Sequence, residues 1–194
     1  MGRTKGLSFY TKKKIFTSGL VREVFSYIFG IVTAVFFAAV LVYMLGITTV
    51  VIGNSMEPEL YSGQTVYINK LSYMFGQPKT GDVIAFLPNG NENSHYYVKR
   101  VVAASGDTIQ IIDGRIYVNG KIAADDVDRD KISDPGIASE KITLGKDECF
   151  VMGDNSNNSE DSRSANIGVV KKDYIAGKIW FGKSMGGTKG GFVD

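Results

Sequence analysis

The hydrophobic pattern of the chain is dominated by one uncharged stretch, which runs from Val24 to Ile52. As a single helix, its 29 residues would be about 43 Å long, whereas the hydrocarbon core of a bilayer is about 30 Å thick. The residues up to Gly46 mix Ala, Leu, Phe and Val, whereas the following ITTVVI is entirely β-branched. Because β-branched residues favour strands, the pattern predicts a membrane helix over 24–46 and a strand directly after it.

Beyond this stretch, short runs rich in Val, Ile and Tyr alternate with turn residues. Asp113 and Gly114 separate two such runs in IIDGRIYVNGK, which is a strong signal for a β-hairpin. No helical pattern of ten or more residues occurs in this part of the sequence. The pattern therefore predicts a mostly β domain, with strands in TVYINK, DVIAFL, YYVKRVVA, TIQIID, RIYVNG and ECFVMG.

The domain organisation follows from these boundaries. Residues 1–23 form a basic tail, residues 24–46 a transmembrane helix and residues 47–184 the β-rich domain. Within that domain, residues 124–141 are polar and lack periodicity, which is typical of an exposed loop or an insertion. The glycine-rich residues 185–194 predict a flexible end.

The charges next to the helix predict its orientation. Residues 1–23 carry six basic side chains and one acidic side chain. The positive-inside rule therefore places the N-terminus in the cytoplasm and the β-rich domain on the outer face. A cleavable export signal has an apolar core of about 7 to 15 residues and a small-x-small cleavage site, and this stretch has neither. The helix is predicted to be an uncleaved, single-pass anchor in the lipid bilayer of the cell membrane.

Composition and charge exclude several function classes. Hydrophobic residues make up 44% of the chain and charged residues 22%, which indicates a globular protein rather than a disordered one. Outside the basic tail the chain is slightly acidic, so no nucleic-acid partner is expected. The single histidine, His95, and the single cysteine, Cys149, belong to no cluster with metal-ligand spacing, so no metal and no cofactor are expected. Cys149 lies in an apolar run and is predicted to be buried.

The candidate nucleophile is Ser55, which follows the apolar stretch in VIGNSMEPEL. A histidine base would have to be His95, but His95 follows a polar turn, where a solvated side chain is typical. Lys99 lies instead in the apolar strand YYVKRVVAA, where burial would lower its pKa and make the amine a general base. A solvated strand lysine, or Arg100 as the inward residue, fits the same alternation, although a guanidinium is not a base.

A third segment, MGDNSNNSEDSR over residues 152–163, is polar enough to be either a surface loop or part of a site. Together with the anchor, GNSMEPEL, GDVIAF, YVKRVVAASGD and this segment resemble, in the same order, the type I signal peptidases of bacteria. Members of that family are membrane-anchored endopeptidases with a serine and a lysine in the active site. The resemblance implies a signal-peptidase-like β-rich fold. It also implies that secretory preproteins are the partners and that their signal peptides are removed after small residues, at Ala-x-Ala-like sites.

The resemblance also implies roles for individual residues. Ser55 takes the position of the nucleophile and Lys99 that of the general base, which Ser159 orients by a hydrogen bond. Asp161 and Arg163 are expected to form an ion pair that holds the last segment. The residues expected to contact the substrate are Val51, Met56, Leu60, Tyr97 and Val98. Further residues expected to support the site are Gly53, Arg100, Gly153 and Asp154.

Two positions depart from the family pattern. Some members have a serine two residues before the nucleophile, whose hydroxyl helps to bind the oxyanion, and this chain has Gly53 there. The backbone N–H of Ser55 is then one expected donor, and the second donor stays open. After Arg163, SANIGVV replaces the usual aromatic-glycine pair. Eukaryotic-type relatives have histidine in place of the lysine, so Lys99 indicates the bacterial type.

Two alternatives remain. One is a catalytically inactive, membrane-anchored binding module of the same fold, which would not need Ser55, Lys99 and Ser159 together. The other is a LexA-like self-cleaving regulator, which would need a DNA-binding module and an Ala-Gly site before the nucleophile. The Ala-Gly pair of this chain, Ala176 and Gly177, follows the nucleophile. The enzyme is therefore the preferred interpretation.

Overall fold

The computed structural model describes residues 2, 18–123, 130–188 and 190–193. Most of the predicted basic tail and the first part of the predicted loop at 124–141 lie outside these residues. The chain divides into two compact units, Met1–Val40 and Leu41–Asp194.

The first element is the helix α1, Ser18–Leu45. Its part from Gly19 to Leu45 is the one helix in the described ranges that is long and apolar enough to cross a membrane. At 1.5 Å per residue, these 27 residues span about 40 Å. Exposed apolar side chains cover nearly the whole helix surface, which is the pattern expected of a segment surrounded by lipid.

Strands dominate the rest of the described chain, and the one other α-helix there is the four-residue α2, Leu71–Met74. This confirms the predicted mostly β domain. The twelve strands of the described residues are β1 Ile47–Val50, β2 Thr65–Asn69, β3 Val83–Phe86, β4 Tyr97–Ala103, β5 Thr108–Ile112, β6 Arg115–Val118, β7 Lys121–Ile122, β8 Ile142–Thr143, β9 Glu148–Met152, β10 Val170–Lys171, β11 Ile175–Gly182 and β12 Gly191–Phe192.

The strands form two sheets within the described residues. The larger one has the order β1-β2-β11-β3-β4-β9-β10, and β12 pairs with β11. The smaller one has the order β7-β6-β5-β8. The pairs between neighbouring strands of both sheets are antiparallel. The non-consecutive order of the larger sheet brings β1, β4 and the end of β9 into one domain although they are far apart in sequence.

The predicted hairpin is the pair β5 and β6. Ile112 lies opposite Arg115, so Asp113 and Gly114 form a two-residue connection. Both have positive φ angles, 51° for Asp113 and 77° for Gly114. Such angles match the right-handed twist of the flanking strands, which explains why Asp-Gly is favoured here.

Part of the segment predicted as an exposed loop packs against this hairpin. The backbone N–H of Ile132 donates to the carbonyl oxygen of Gly114 at 3.0 Å. Ile132 and Ala138 are buried in the core cluster of the smaller sheet, and residues Gly136–Ser139 form a short 3-10 helix. The apolar side chains are too few and too irregularly spaced for the sequence pattern to have indicated this packing.

The end of the described chain also returns to the domain. Phe192 of β12 lies opposite Phe181 of β11, and the N–H of Val193 donates to the carbonyl oxygen of Trp180 at 3.2 Å. The side chain of Val193 is buried in the same core cluster as Met56. Residues 191–193 are therefore ordered by pairing with β11, a contact that their own glycine-rich sequence does not indicate.

Candidate active site

Ser55 lies in the connection between β1 and β2, in a sequence of tight turns. The N–H of Glu57 donates to the carbonyl oxygen of Asn54 at 3.3 Å, and that of Leu60 to Met56 at 2.8 Å. The carbonyl oxygen of Ser55 itself accepts a hydrogen bond of 3.0 Å from the N–H of Asn155. These hydrogen bonds hold the backbone around Ser55 in place. Ser55 is 8% exposed, so it is largely shielded from water.

Lys99 lies in the N-terminal half of β4, opposite Ile84 of β3. It is 6% exposed. Its Nζ donates a hydrogen bond of 2.5 Å to Ser55 Oγ, across 44 residues of sequence. When the amine is neutral, the same contact allows the hydroxyl to donate its proton to Nζ. The two residues predicted as nucleophile and base are thus in direct contact.

The environment of Lys99 makes a neutral amine accessible. Burial lowers the pKa of Lys99 from its ordinary value of 10.5 to about 8, because the ammonium loses its hydration. The negative charges of Asp161, Glu160 and Asp154 act in the opposite direction, and the charge of Arg163 adds to the lowering. Desolvation is the largest of these effects, so a useful fraction of Lys99 is a free base near neutral pH.

Asp161 and Arg163 form the predicted ion pair in the loop after β9. Arg163 Nε lies 2.8 Å from Asp161 Oδ1 and its Nη2 lies 2.9 Å from Oδ2, a bidentate arrangement. Asp161 Oδ2 also accepts the N–H of Gly153, and Arg163 Nη2 donates to the carbonyl oxygen of Ser156. The pair is buried and fixes the loop of residues 153–163 next to Ser55.

Arg100 and Asp154 form a second bidentate pair, which was not expected from the sequence. Arg100 Nε lies 2.8 Å from Asp154 Oδ1 and Nη2 lies 2.9 Å from Oδ2, while Nη1 donates to the carbonyl oxygen of Gly81. Arg100 is the residue after Lys99, and Asp154 begins the loop after β9. The pair therefore ties the strand of the candidate base to the loop that contacts Ser55.

Gly153 lies between Ser159 Oγ and the carbonyl oxygen of Ser55. A Cβ atom on Gly153 would collide with Ser159 Oγ and with the carbonyl oxygen of Ser55, so only glycine fits. Ser159 Oγ is buried and has no hydrogen-bond partner among the described residues. The hydrogen bond from Ser159 to Lys99 that the resemblance implied is not formed in this arrangement, in which Nζ donates to Ser55 instead.

Four of the five predicted substrate-contacting residues share one buried cluster, which contains Val51, Met56, Leu60 and Val98. Tyr97 packs at the edge of a different cluster, and its ring centroid lies 5.9 Å from Lys99 Nζ. A cavity of about 290 Å³ opens next to the candidate dyad. One wall consists of residues 51–55 and the other of residues 95–99.

The comparison with known families decides the classification. A family model described as signal peptidase, peptidase S26, matches residues 24–182. This chain belongs to the signal peptidase family. It is therefore a serine endopeptidase, and its apolar helix α1 fits a membrane-anchored member of the family.

Named relatives of this signal peptidase come from bacteria. Signal peptidase I T of Bacillus subtilis (strain 168) is 32% identical over 168 residues, which are 78% of this chain and 81% of that protein. Signal peptidase I P of Bacillus subtilis subsp. natto is 33% identical over 183 residues, 86% of this chain and 91% of that protein. A crystal structure of a signal peptidase I from Enterococcus faecalis V583 has 27% identity and a TM-score of 0.42, covering 53% of this chain and 96% of that one.

An unpaired edge of the larger sheet of this peptidase faces the cavity. The C-terminal half of β4, from Arg100 on, pairs with β9, whereas residues 97–99 pair with β3 alone within the described sheet. The opposite wall, residues 51–55, follows β1, which is the terminal strand of the sheet and pairs only with β2 among the described strands. In that wall the N–H and C=O of Val51 are bonded to Gln64 and Gly63, and the N–H of Gly53 to Ser62 Oγ. The strand edge at residues 97–99 is therefore the one that can accept an added extended peptide.

Gly53 lies in the wall of the same cavity. Its φ angle is +78°, and its N–H donates to Ser62 Oγ at 3.2 Å. A Cβ atom on Gly53 would meet no atom within 4 Å, so the departure from the serine-bearing members is not required by packing. The positive φ angle is the property that favours glycine at this position.

Further cavity residues were not indicated as site residues by the sequence. Glu160 and Asn158 line the cavity beside the dyad, together with His95 and Tyr96 of the opposite wall. His95 is exposed and stacks on Tyr97 with 5.1 Å between ring centroids. Glu160 lies inside the segment of residues 152–163, next to the predicted site residue Asp161, and this proximity was the available signal. No group of three potential metal ligands occurs among the described residues.

Proposed function

We propose that this peptidase removes signal peptides from exported preproteins with a Ser55-Lys99 dyad. The observation that carries the proposal is the 2.5 Å contact between Lys99 Nζ and Ser55 Oγ, with both side chains buried. A solvated surface lysine would be an ammonium at neutral pH, whereas burial lowers the pKa of Lys99 to about 8. The inactive binding module has no use for this contact.

Catalysis begins with neutral Lys99. It takes the hydroxyl proton of Ser55 while Oγ attacks the carbonyl carbon before the scissile bond. The protonated lysine then gives this proton to the leaving amine. This amine becomes the N-terminus of the mature protein, which departs. Neutral Lys99 next takes a proton from water, whose oxygen attacks the ester between Ser55 and the signal peptide. As the ester bond breaks, Lys99 returns this proton to Ser55 Oγ and the signal peptide leaves with a new carboxylate. Ser159 Oγ, which is buried and has no hydrogen-bond partner among the described residues, is the group proposed to accept an N–H of Lys99 when the lone pair of the amine turns toward Ser55.

The developing oxyanion needs donors that are in place before the reaction. The N–H of Ser55 is one donor. Gly53 offers no hydroxyl, so a backbone N–H or a bound water completes the hole. The ion pair of Asp161 with Arg163 keeps the loop of residues 153–163 in position, and the hydrogen bond from Asn155 to the carbonyl oxygen of Ser55 transmits that position to the nucleophile.

The substrate binds as an extended strand between residues 51–53 and residues 97–99. Residues 97–99 offer a strand edge without a second strand partner among the described residues, and alternate side chains of a peptide paired there point into the domain. Val51 and Val98 line the cavity, whereas Met56 and Leu60 are buried in the same apolar cluster. An apolar wall of this kind suits alanine at the first and third positions before the cut, which is the expected Ala-x-Ala-like site.

The anchor places this chemistry at the membrane surface. Helix α1 ends at Leu45, ten residues before the nucleophile. The signal segment of a preprotein lies in the same bilayer, so both reactants are concentrated in one thin layer. The basic residues before the helix support a cytoplasmic N-terminus and a catalytic domain on the outer side, where the cleavage site of an exported chain emerges.

The test is cleavage of a preprotein with an Ala-x-Ala site by the detergent-solubilised full chain and its variants. Ser55→Ala and Lys99→Ala should each lower kcat by about 10⁴-fold or more, because the dyad acts as a unit. Lys99→Arg is the matched control, since its guanidinium stays protonated and cannot accept the Ser55 proton, and it should be equally inactive. Cleavage at a different bond would contradict the substrate assignment. A wild type that binds the preprotein without cutting it would favour the inactive binding module.

A further inference from the structure

Glu160 is a charged residue of the substrate cavity to which the reaction assigns no role. It lines the cavity together with Ser55 and Lys99, and its side chain is exposed. Its carboxylate makes no hydrogen bond or ion pair with any residue that the structure describes. It nevertheless acts on Lys99 through space, which places its charge close to the site of reaction.

Glu160 differs from the other acidic groups near Lys99 in how its charge is paired. Asp161 is neutralised by its bidentate pair with Arg163, and Asp154 by its pair with Arg100. Glu160 is the acidic group near Lys99 without such a partner among the described residues.

The charge balance of the cavity depends on the state of Lys99. With histidine counted as neutral, Lys99 and Glu160 are the charged residues of the lining. Catalysis requires neutral Lys99, so the reactive cavity carries one net negative charge, that of Glu160. An electronegative cavity favours a cationic ligand over an anionic one.

We propose that Glu160 is a specificity-determining residue that favours preproteins with lysine or arginine next to the scissile bond. This inference rests on the proposed function. In an extended substrate, the first and third side chains before the cut enter the domain. The cationic side chain must therefore stand at a position whose side chain does not enter the domain. The second residue before the cut and the first residue after it meet this condition, because they point away from the two small-residue pockets.

The expected preference is modest because Glu160 is exposed to solvent. Ion pairs between exposed side chains change a rate or binding constant by about two- to fivefold. The preference should shrink at high ionic strength, since salt screens exposed charges beyond about 3 Å at 1 M.

The experiment uses the full chain in detergent and a set of Ala-x-Ala peptides that carry Lys, Gln or Glu at one position flanking the cut. At pH 9, where Lys99 is mostly neutral, the wild type should have the highest kcat/KM for a Lys peptide and the lowest for the Glu peptide. Glu160→Gln should remove this order and Glu160→Lys should reverse it. Glu140→Gln, which changes the same charge at an exposed site outside the cavity lining, should keep the wild-type order.

Comparing ratios within each enzyme separates specificity from folding, because a partly unfolded variant loses the same fraction of activity on every peptide. Equal kcat/KM values for the Lys and Glu peptides at both flanking positions in the wild type would overturn the role of Glu160. The same order in Glu160→Gln as in the wild type would also overturn it. A wild type that cuts none of the peptides, including the neutral one, would overturn the proposed function and this inference with it.

Discussion

Lys99 shows how single residues set the chemistry of this peptidase. Its neighbours include three carboxylates, Asp161, Glu160 and Asp154, which by themselves would stabilise an ammonium. Burial outweighs them and lowers the pKa of Lys99 to about 8. The arginine partners of Asp161 and Asp154 weaken the effect of those two carboxylates on the pKa of Lys99. The proposed base is therefore favoured by its desolvation and by the pairing of nearby charges, rather than by one special partner.

The pH dependence of cleavage tests this account at the residue scale. Below the pKa of Lys99 the amine is protonated and cannot accept the Ser55 proton, so kcat/KM should rise with pH and level off above about 8. At pH 6 about 1% of the lysine is neutral, which predicts about a hundredfold loss. The measurement is a kcat/KM profile with a peptide that has no ionisable side chain.

The pH profile of Glu160→Gln provides a comparison with that of the wild type. Because it removes a charge that stabilises the ammonium, the midpoint should move to lower pH. A wild-type profile that rises only near pH 10.5, the ordinary lysine value, would show that Lys99 is not desolvated when it works.

At the scale of elements, β4 combines two roles along its length. Its C-terminal half is held between β3 and β9, and its N-terminal half, residues 97–99, has β3 on one side and the cavity on the other. The end of β9 at Met152 and the turn at Gly153 create this opening. One strand thus supplies the rigid support for Lys99 and the free edge to which a substrate strand can be added.

The two turns at the ends of β6, which contain Gly114 and Gly120, yield a prediction about turn geometry. Gly114 and Gly120 have the same φ angle, 77°, but differ in their surroundings. A Cβ on Gly114 would come within 2.9 Å of the carbonyl oxygen of Ile132, whereas a Cβ on Gly120 would meet nothing within 4 Å. Gly120→Ala should therefore cost only the backbone strain of about 1 to 2 kcal/mol, and Gly114→Ala should cost more.

Chemical denaturation of the two variants gives the free energies of unfolding. The difference between them isolates the crowding against residue 132, because the backbone angle is shared. The folded fraction of both variants should retain cleavage activity, since neither turn belongs to the cavity lining. Equal losses of stability would show that the segment around Ile132 moves away at little cost.

At the scale of the whole domain, the last described residues pack into the core behind the candidate active site. Val193 is buried in the cluster that contains Met56, Leu60 and Val98, and it reaches that cluster through the pairing of β12 with β11. Residues separated by more than 130 positions therefore share one core. The stability of the substrate-binding wall should depend on this distant segment.

Neighbouring substitutions test this dependence. Val193→Asp should lower the free energy of unfolding by about 2 to 3 kcal/mol, since it removes a buried aliphatic side chain and introduces a charge. Phe192→Asp is the matched control, because Phe192 is 75% exposed, and its cost should stay below about 1 kcal/mol. KM for the Ala-x-Ala peptide should rise in Val193→Asp. Equal effects of the two substitutions would contradict a specific role for Val193.

The sequence by itself determined the membrane helix, the mostly β domain and the hairpin at Asp113 and Gly114, because these features depend on local composition and periodicity. It also indicated Ser55 and Lys99, through short segments in a recognisable order. Roles of these residues in catalysis remain predictions that the variants above test.

Other features depended on the tertiary structure, because they are made by residues far apart in the chain. The pairing of Arg100 with Asp154, the packing of Ile132 on the hairpin and the burial of Val193 each require a partner that the local pattern does not contain. The same is true of the position of Glu160 in the cavity. Strand order and loop packing decide which charges meet and which remain unpaired, and a linear pattern of residue types carries no information about those distances.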